Sequence, residues 1–187
     1  MNHTFKITAI VLIFTLFAQA QEKKAIDTDK STIVWTGKKV TGSHEGTLQF
    51  KKGEVIMENG KLKGGNFVVD MSSIQVTDLE TGKGKEKLEG HLNSDDFFGS
   101  ASHPEATLVI TNVEEQGDQY TVMGDLTIKN NTRPITFEMK ATETTASTEV
   151  KIDRTKFDIK YGSGNFFDNL GDKMINDDFI LDVTLVY

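Results

Sequence analysis

The sequence predicts an all-β protein, an antiparallel sheet of eight or nine strands closed into a barrel. Two observations lead to this prediction: apolar and polar residues alternate along many short segments, and turn-forming residues separate those segments. A period of two is typical of strands that bury one face. The chain has sixteen glycines, two prolines and no cysteine, so the core has to stabilise the fold without disulfides.

The alternation is clearest in the last strand, where every second residue from Phe179 to Tyr187 is apolar. Earlier segments repeat the pattern, and their apolar positions form the predicted inner face of the barrel. Those positions are Ile33, Trp35, Leu48, Phe50, Phe67, Val69, Leu108, Ile110, Tyr120, Val122, Leu126, Ile128, Ile135, Phe137, Met139, Val150 and Ile152. The set contains no charged residue. A molecule held inside such a barrel would therefore have to be apolar and slender.

Short turn motifs join most of these segments. Asn59-Gly60 predicts a two-residue hairpin, and further turns are expected at residues 116–118 and 130–132. Strands joined by tight turns usually pair with each other, which predicts a meander. Residues 72–104 interrupt it, and the Lys, Glu and Leu residues between 84 and 92 favour a short helix near the mouth of the barrel.

The first twenty residues predict a signal peptide. Lys6 precedes an apolar run over residues 7–17, and Ala18-Gln19-Ala20 provides the small residues of a cleavage site. We therefore expect export with cleavage near Ala20, which leaves a single domain over residues 21–187. The run is shorter than the roughly 20 residues that cross a bilayer, so no stable membrane insertion is expected. An uncleaved anchor is the alternative.

The net charge argues against one class of partner. Removing residues 1–20 takes one lysine and no acid from 21 basic and 28 acidic residues, which leaves a formal charge of −8. Nucleic acids and anionic membrane surfaces repel such a protein because both are polyanionic. We expect no nucleic-acid partner.

The sequence contains no recognisable catalytic or metal-binding motif. His44, His91 and His103 lack the spacing of zinc ligands, and Ser163, in a glycine-flanked loop predicted to be flexible, lacks the setting of a nucleophile. We expect no enzymatic activity, no cofactor and no metal. Two alternatives stay open: an enzyme with His91 or His44 as the base at the mouth, and an empty barrel that is structural or binds a partner.

Four motifs, in order along the chain, resemble the YceI-like family. They are VWTGKKV and SHEGT within residues 34–47, HLNSDDFF at 91–98 followed by His103-Pro104, GDLTI and TRPITF within 124–137, and IDRTKF at 152–157. The resemblance extends over residues 21–187. It implies an eight-stranded lipocalin-like barrel, periplasmic or secreted, that encloses the apolar tail of an isoprenoid quinone, a polyprenyl compound or a similar amphipathic lipid.

The predicted lipid site combines the barrel interior with its mouth. Two pairs of adjacent aromatics, Phe97-Phe98 and Phe166-Phe167, lie in loops, where one ring of a pair can plug the barrel while the other is left nearer the rim. We expect at least one of each pair to contact the lipid near the entrance, beside Tyr161. The other predicted ligand-binding residues line the interior: Trp35, Phe50, Phe67, Val69, Leu108, Ile110, Phe137 and Leu181. His91 is expected to be a buried imidazole hydrogen-bonded to the backbone. We expect a monomer or a homodimer.

Overall fold

A computed structural model describes residues 21–117 and 119–187, so the predicted signal peptide and Asp118 lie outside the described residues. This part of the chain is mostly strand, with one helix and two single 3-10 turns. The elements are β1 (Glu22–Ala25), β2 (Thr32–Lys39), β3 (Gly42–Glu58), β4 (Lys61–Val76), α1 (Lys85–Asn93), β5 (Glu105–Gln116), β6 (Gln119–Ile128), β7 (Asn131–Ala141), β8 (Thr145–Asp153), 3-10 turns at Arg154–Phe157 and Gly171–Lys173, and β9 (Ile175–Val186).

Strands β2 to β9 close into an antiparallel barrel of eight strands. Each pairs with the next along the chain, and β9 returns to pair with β2, where Ile33 lies opposite Val183. Closure leaves none of these eight with a free edge. The predicted barrel is therefore confirmed. The short strand β1, which pairs with the far half of β3, was not predicted, because its sequence EKKA shows no apolar alternation.

Both long connections lie at one end of the barrel. Residues 77–104, which include α1, join β4 to β5, and residues 154–174 join β8 to β9. Because neighbouring strands run in opposite directions, these connections and the hairpin at residues 40–41 meet at the same end, which we call the mouth. Segment 26–31 crosses the other end, where the amide of Asp27 donates to the carbonyl of Val186 at 2.7 Å.

Two hairpins show how local backbone conformation sets the register. Asn59 and Gly60 have φ angles of 54° and 77°, the left-handed conformation of a two-residue turn. The turn between β6 and β7 consists of Lys129 and Asn130, with φ angles of 49° and 59°, so the prediction at residues 130–132 was displaced. Asn131 already belongs to β7, and its side-chain amide donates from Nδ2 to the Lys129 carbonyl at 2.9 Å.

The helix at the mouth is held by one buried leucine and one hydrogen bond to the sheet. Leu92 is its buried residue, and the Glu89 carboxylate accepts from the amide of Val76 at 2.9 Å, at the end of β4. Ser94 ends the helix, and its hydroxyl donates to the carbonyl of His91 at 2.7 Å. The predicted helix is confirmed within one residue at either end.

The core is solid at the end opposite the mouth. The side chains that fill this end are at most 2% exposed: Val55, Met57, Leu62, Val122 and Leu185. Burying an apolar side chain of this size contributes about 1.5–3 kcal/mol. These packed side chains close the base of the barrel.

Candidate binding cavity

Two cavities meet in the half of the barrel nearer the mouth. The upper compartment has a volume of about 590 Å³ and the lower compartment about 110 Å³. Four residues line both compartments, and we call them the neck: Leu48, Phe98, Phe179 and Leu181. The upper volume alone lies in the range of small-molecule pockets, roughly 300–1,000 Å³.

The lower compartment is lined by all eight barrel strands and by no charged residue of the described chain. Its only polar lining residues are Thr107 and Thr148, and the Thr148 hydroxyl donates to the Glu138 carbonyl at 2.6 Å. Below the neck, the wall consists of Ile33, Phe50, Phe67, Val69, Met71, Ala106, Leu108, Leu126, Ile128, Ile135, Phe137, Met139, Val150, Ile152, Val183 and Leu185. A polar group placed there would lose its water without gaining a hydrogen bond, which is unfavourable.

A chain of aromatic rings leads from the rim to the neck. Tyr161 lies 4.4 Å from His91 between ring centres, and His91 lies 5.3 Å from Phe97. Phe97 contacts Phe98 at 5.5 Å, and Phe98 contacts Phe179 at 6.2 Å. Each pair is tilted edge to face, the arrangement that the ring quadrupoles favour. The two phenylalanines after α1 thus form the floor of the upper compartment.

Phe97 and Phe98 are both buried, 7% and 9% exposed. The backbone explains this, because the amide of Phe98 donates to the carbonyl of Leu92 at 3.1 Å and folds the segment back under α1. The sequence predicted that one ring would lie nearer the rim. In the turn, the two rings pack on each other and both point away from solvent.

His91 does not make the predicted hydrogen bond to the backbone. Its ring lies between Tyr161 and Phe97, and Nε2 is buried with no hydrogen-bond partner among the described residues. The prediction was wrong because aromatic rings, rather than backbone carbonyls, surround the imidazole. His91 serves here as a packing group in the wall of the upper compartment.

Arg154 is the buried charge beneath the mouth, with 2% of its surface exposed. Its guanidinium donates to the carbonyls of Ile159 at 2.7 Å, Asn176 at 3.0 Å and Ile175 at 3.1 Å. Burial lowers the pKa of Arg154, although the nearby Asp177 carboxylate opposes that shift. Arg154 therefore ties the 3-10 turn after β8 to the start of β9 and holds both ends of the second long connection.

At the rim, His44 pairs with Asp78, with 2.8 Å between Nδ1 and Oδ2. Burial raises the pKa of Asp78, but the hydrogen bonds from His44 and from the Glu45 amide outweigh it, and the pKa is lowered overall. No hydroxyl group hydrogen-bonds to the His44 ring within the described residues, so the pair has no nucleophile beside it.

Within residues 21–117 and 119–187, no group of three or more histidine or acidic side chains is placed to hold a metal ion. Within the same ranges, no helix is long and apolar enough to cross a membrane.

Ten of the thirteen predicted ligand-binding residues line the two compartments. Trp35, Phe97 and Tyr161 line the upper one, while Phe98 and Leu181 line both. Five residues line only the lower compartment: Phe50, Phe67, Val69, Leu108 and Phe137. Their contact with a lipid stays a prediction.

Three predicted ligand-binding residues line neither compartment. Ile110 packs against the core from β5 but borders neither cavity. Phe166 and Phe167 also line neither, and each is 50% exposed. Both of their amides donate to the carbonyl of Ser163, in a turn that lies outside the barrel.

The sequence did not predict the wall contributed by the first long connection. Its residues Leu79, Leu88 and Leu92 line the upper compartment, together with Ile74 near the end of β4. The spacing of four between Leu88 and Leu92 places them on one face of the predicted helix, and this signal could have revealed them.

Fold and cavity together define a class of protein: a lipocalin-like antiparallel barrel with an apolar interior that opens at one end. The model of the YceI-like domain matches residues 25–187, and the chain belongs to that family.

Protein YceI of Escherichia coli O157:H7 is 37% identical over 75 residues, which cover 40% of this chain and 36% of that protein. A UPF0312 protein of Yersinia pestis (strain Pestoides F) is 35% identical over 77 residues, 41% of this chain and 36% of the relative. The chain thus matches 36% of the length of these curated relatives.

Two solved structures share the fold over most of the chain. BcnA of Burkholderia cenocepacia has a TM-score of 0.70 and 22% identity, covering 87% of this chain and 99% of BcnA. A polyisoprenoid binding domain from Saccharophagus degradans has a TM-score of 0.58 and 15% identity, covering 89% and 97% of the two chains.

Proposed function

We propose that this protein is an exported, non-catalytic lipid-binding protein that holds the apolar tail of an isoprenoid-type lipid in its barrel. The observation that carries the proposal is the lower compartment, which no charged side chain lines and which shares the four neck residues with the upper compartment. The membership of the YceI-like family and the fold shared with a polyisoprenoid binding domain support it.

The two compartments match the two parts of an amphipathic lipid. Each square ångström of tail surface moved from water into the lower compartment contributes roughly 25 cal/mol. A polar head has no hydrogen-bond partner in the lower compartment. It would therefore remain in the upper compartment, among Trp35, His44 and the lysines that line that compartment. The neck would select slender tails.

Export remains part of the proposal. It rests on Lys6, the apolar run over residues 7–17 and the Ala18-Gln19-Ala20 motif, which together fit a signal peptide removed near Ala20. N-terminal sequencing of material secreted by the native host is expected to begin at or near Gln21, whereas an intact Met1 contradicts export.

Native mass spectrometry of protein purified from its own host tests the binding function. We expect a mass above that of the polypeptide, and organic extraction is expected to release a lipid of isoprenoid type. A protein with the polypeptide mass alone, purified without detergent, would instead support the empty barrel that is structural or binds a partner.

Blocking the neck provides a more specific test. Leu181→Phe enlarges a side chain that borders both compartments, so we expect at least about tenfold weaker quinone binding and a fold cost of about 1–3 kcal/mol or less. Quenching of Trp35, the only tryptophan, measures binding. Ile180→Phe is the matched control, because residue 180 faces the outside of the same strand.

The neck test has a clear contrary result. If Leu181→Phe binds the quinone as tightly as the wild type does, the tail does not pass through the neck. The enzymatic alternative is tested separately. Hydrolysis of an ester lipid by the wild type that is lost in His44→Ala or His91→Ala would favour an enzyme at the mouth.

A further inference from the structure

Most of the exposed apolar side chains surround the mouth. In the described part of the chain, six large apolar side chains are at least 37% exposed. Five belong to the connections at the mouth, and we call them the apolar rim: Val40, Tyr161, Phe166, Phe167 and Met174. The sixth, Val109, lies on the outer wall in β5. Soluble proteins usually scatter such residues, so this concentration indicates an interaction site.

The rim residues occupy two segments that touch. The amide of Val40 donates to the carbonyl of Met174 at 3.2 Å, which joins the hairpin at residues 40–41 to the end of the second long connection. A side chain on Gly164 would lie 2.6 Å from the Met174 sulfur, so that glycine packs against the same methionine. Tyr161 lines the upper compartment itself. The rim is thus continuous with the entrance of the cavity.

The loop that carries Phe166 and Phe167 is anchored rather than flexible, contrary to the sequence-based expectation for the segment around Ser163. Ser163 is fully buried, and the amide of Ile175 donates to the Gly162 carbonyl at 2.8 Å. The side-chain amide of Asn165 donates from Nδ2 to the Asp177 carboxylate at 2.6 Å. The two exposed rings are therefore held outward by a fixed backbone and are not side chains of an unfolded loop.

Basic residues predominate in the lining of the upper compartment. Five basic and two acidic residues line the upper compartment, in a chain whose formal net charge is −7. Of the two acids, Asp178 is already paired with Lys151 at 2.7 Å. Four lining lysines make no ion pair within the described residues: Lys38, Lys39, Lys87 and Lys173.

We propose that the mouth docks on the surface of a lipid bilayer that contains anionic lipids. Phe166 and Phe167 enter the boundary between headgroups and acyl chains, where amphipathic and aromatic side chains are favoured, and the lining lysines contact lipid phosphates. The inference rests on the proposed function, because docking brings the cavity entrance to the source of the tail. A lipid then passes between bilayer and barrel without crossing water.

The acidic character of the whole chain does not prevent this contact. At physiological ionic strength, charges separated by more than about 8 Å are largely screened. The lysines that line the mouth therefore act on the bilayer at close range, while the acids along the barrel and at its far end act weakly. The connections at the mouth also carry acids, but four of these are paired with basic side chains: Asp78, Glu80, Glu89 and Asp158.

Vesicle flotation tests the proposal, with vesicles of phosphatidylcholine alone and of phosphatidylcholine mixed with phosphatidylglycerol. We expect the wild type to float with the mixed vesicles, and added salt to reduce the bound fraction. Phe166→Ser combined with Phe167→Ser is expected to weaken binding by about tenfold or more. Val109→Ser, which removes an equally exposed side chain from the outer wall, serves as the control and is expected to bind normally.

A charge reversal provides an independent second test. Lys38→Glu combined with Lys39→Glu is expected to abolish binding to the mixed vesicles. Lys63→Glu with Lys140→Glu makes the same change in net charge near the far end and is expected to leave binding intact. Circular dichroism of each variant establishes that the barrel is folded. Equal vesicle binding by the rim and control variants overturns the proposal, as does a wild type that binds no vesicle.

Quenching of Trp35 by a quinone in detergent separates this proposal from the function on which it rests. A wild type that binds the quinone but floats with no vesicle keeps the lipid-binding function and overturns the docking. A wild type that floats with mixed vesicles without binding a quinone supports docking while removing the proposed function. A rim that instead joins two copies of the chain, detected by light scattering without vesicle binding, also overturns docking.

Discussion

Arg154 shows how one side chain can organise a mouth formed by separate segments. Its guanidinium reaches three carbonyls, of Ile159, Ile175 and Asn176, that lie up to 22 residues from it along the chain. The planar guanidinium of arginine has five N–H donors and can reach three carbonyls in different directions. The single ammonium group of lysine would satisfy these carbonyls less completely. The sequence identified Arg154 only as part of a motif. Its three acceptors are backbone carbonyls, which every residue type has, so the sequence cannot indicate where they lie.

Replacing Arg154 is expected to destabilise the barrel and its mouth. Arg154→Met keeps the stem of the side chain but leaves three carbonyls without their donor, at an expected cost of about 3–5 kcal/mol in the free energy of unfolding. Urea denaturation measures this cost, and Arg154→Lys should recover part of it. A loss below about 1 kcal/mol would contradict the anchoring role.

At the scale of the element, β3 and β4 bend the barrel where they pair. Their register shifts at three places, between Thr47 and Gln49, between Phe50 and Lys52, and between Ile56 and Met57. Such irregularities increase the local twist of a strand. Above the first of them, Gly46 lets the chain approach β4 and the indole of Trp35 more closely than any other residue would allow.

Gly46→Ala is expected to disturb both the pairing and the cavity wall. A Cβ there would lie 1.8 Å from the Gln75 carbonyl oxygen and 2.6 Å from the Trp35 ring. We expect a loss of about 1–3 kcal/mol or more in stability and a shift in Trp35 emission. Gly37→Ala is the matched control, because no atom lies within 4 Å of its added methyl group. Equal stability of the two variants would contradict a close-packed wall at Gly46.

The elements themselves could be predicted to different degrees. Strands with one polar face, such as β9, are visible in the sequence because a period of two records which face is buried. The turn at Lys129 and Asn130 was displaced in the prediction, since Asn131 has the composition of a turn but is held in β7 by pairing with Ile128. The outward direction of Phe166 and Phe167 could not be predicted, because local sequence does not determine which way a loop turns.

At the scale of the whole molecule, the interior is solid at the far end and hollow toward the mouth. The sequence predicted which residues face inward, but it could not separate those that fill the base of the barrel from those that line the cavity. Val122 is buried in the base, while Phe137 borders the cavity. Both are apolar residues on strands. Whether opposite walls touch depends on barrel radius and strand stagger, which register shifts determine and residue types do not.

Stability of the barrel at high pH is expected to depend on Tyr187. Its hydroxyl donates to the carbonyls of Thr142 at 2.9 Å and Thr145 at 3.1 Å, and burial, with a contribution from Tyr120, raises the pKa of Tyr187 to about 12. The protonated phenol therefore stabilises the fold below pH 10, and this contribution is lost as the pH rises from 10 through 12.

The measurement compares the free energy of unfolding of the wild type and Tyr187→Phe across that window. We expect the variant to be less stable by about 1 kcal/mol at neutral pH, where it lacks the hydrogen bonds, and the difference to shrink toward pH 12. A difference that stays constant would mean that Tyr187 titrates as it does in the unfolded chain.

The closing pair of strands also determines the order in which the chain can fold. Neighbouring strands from β2 to β9 can pair as soon as both have been synthesised. The pairing of β2 with β9, in which Ile33 lies opposite Val183, requires the last strand of the chain. Contacts so distant in sequence form slowly, because a long loop has to close first. The barrel therefore cannot close before β9 is available, and closure of this seam is the expected slow step of folding. Such a delay suits a chain proposed to cross a membrane before it folds.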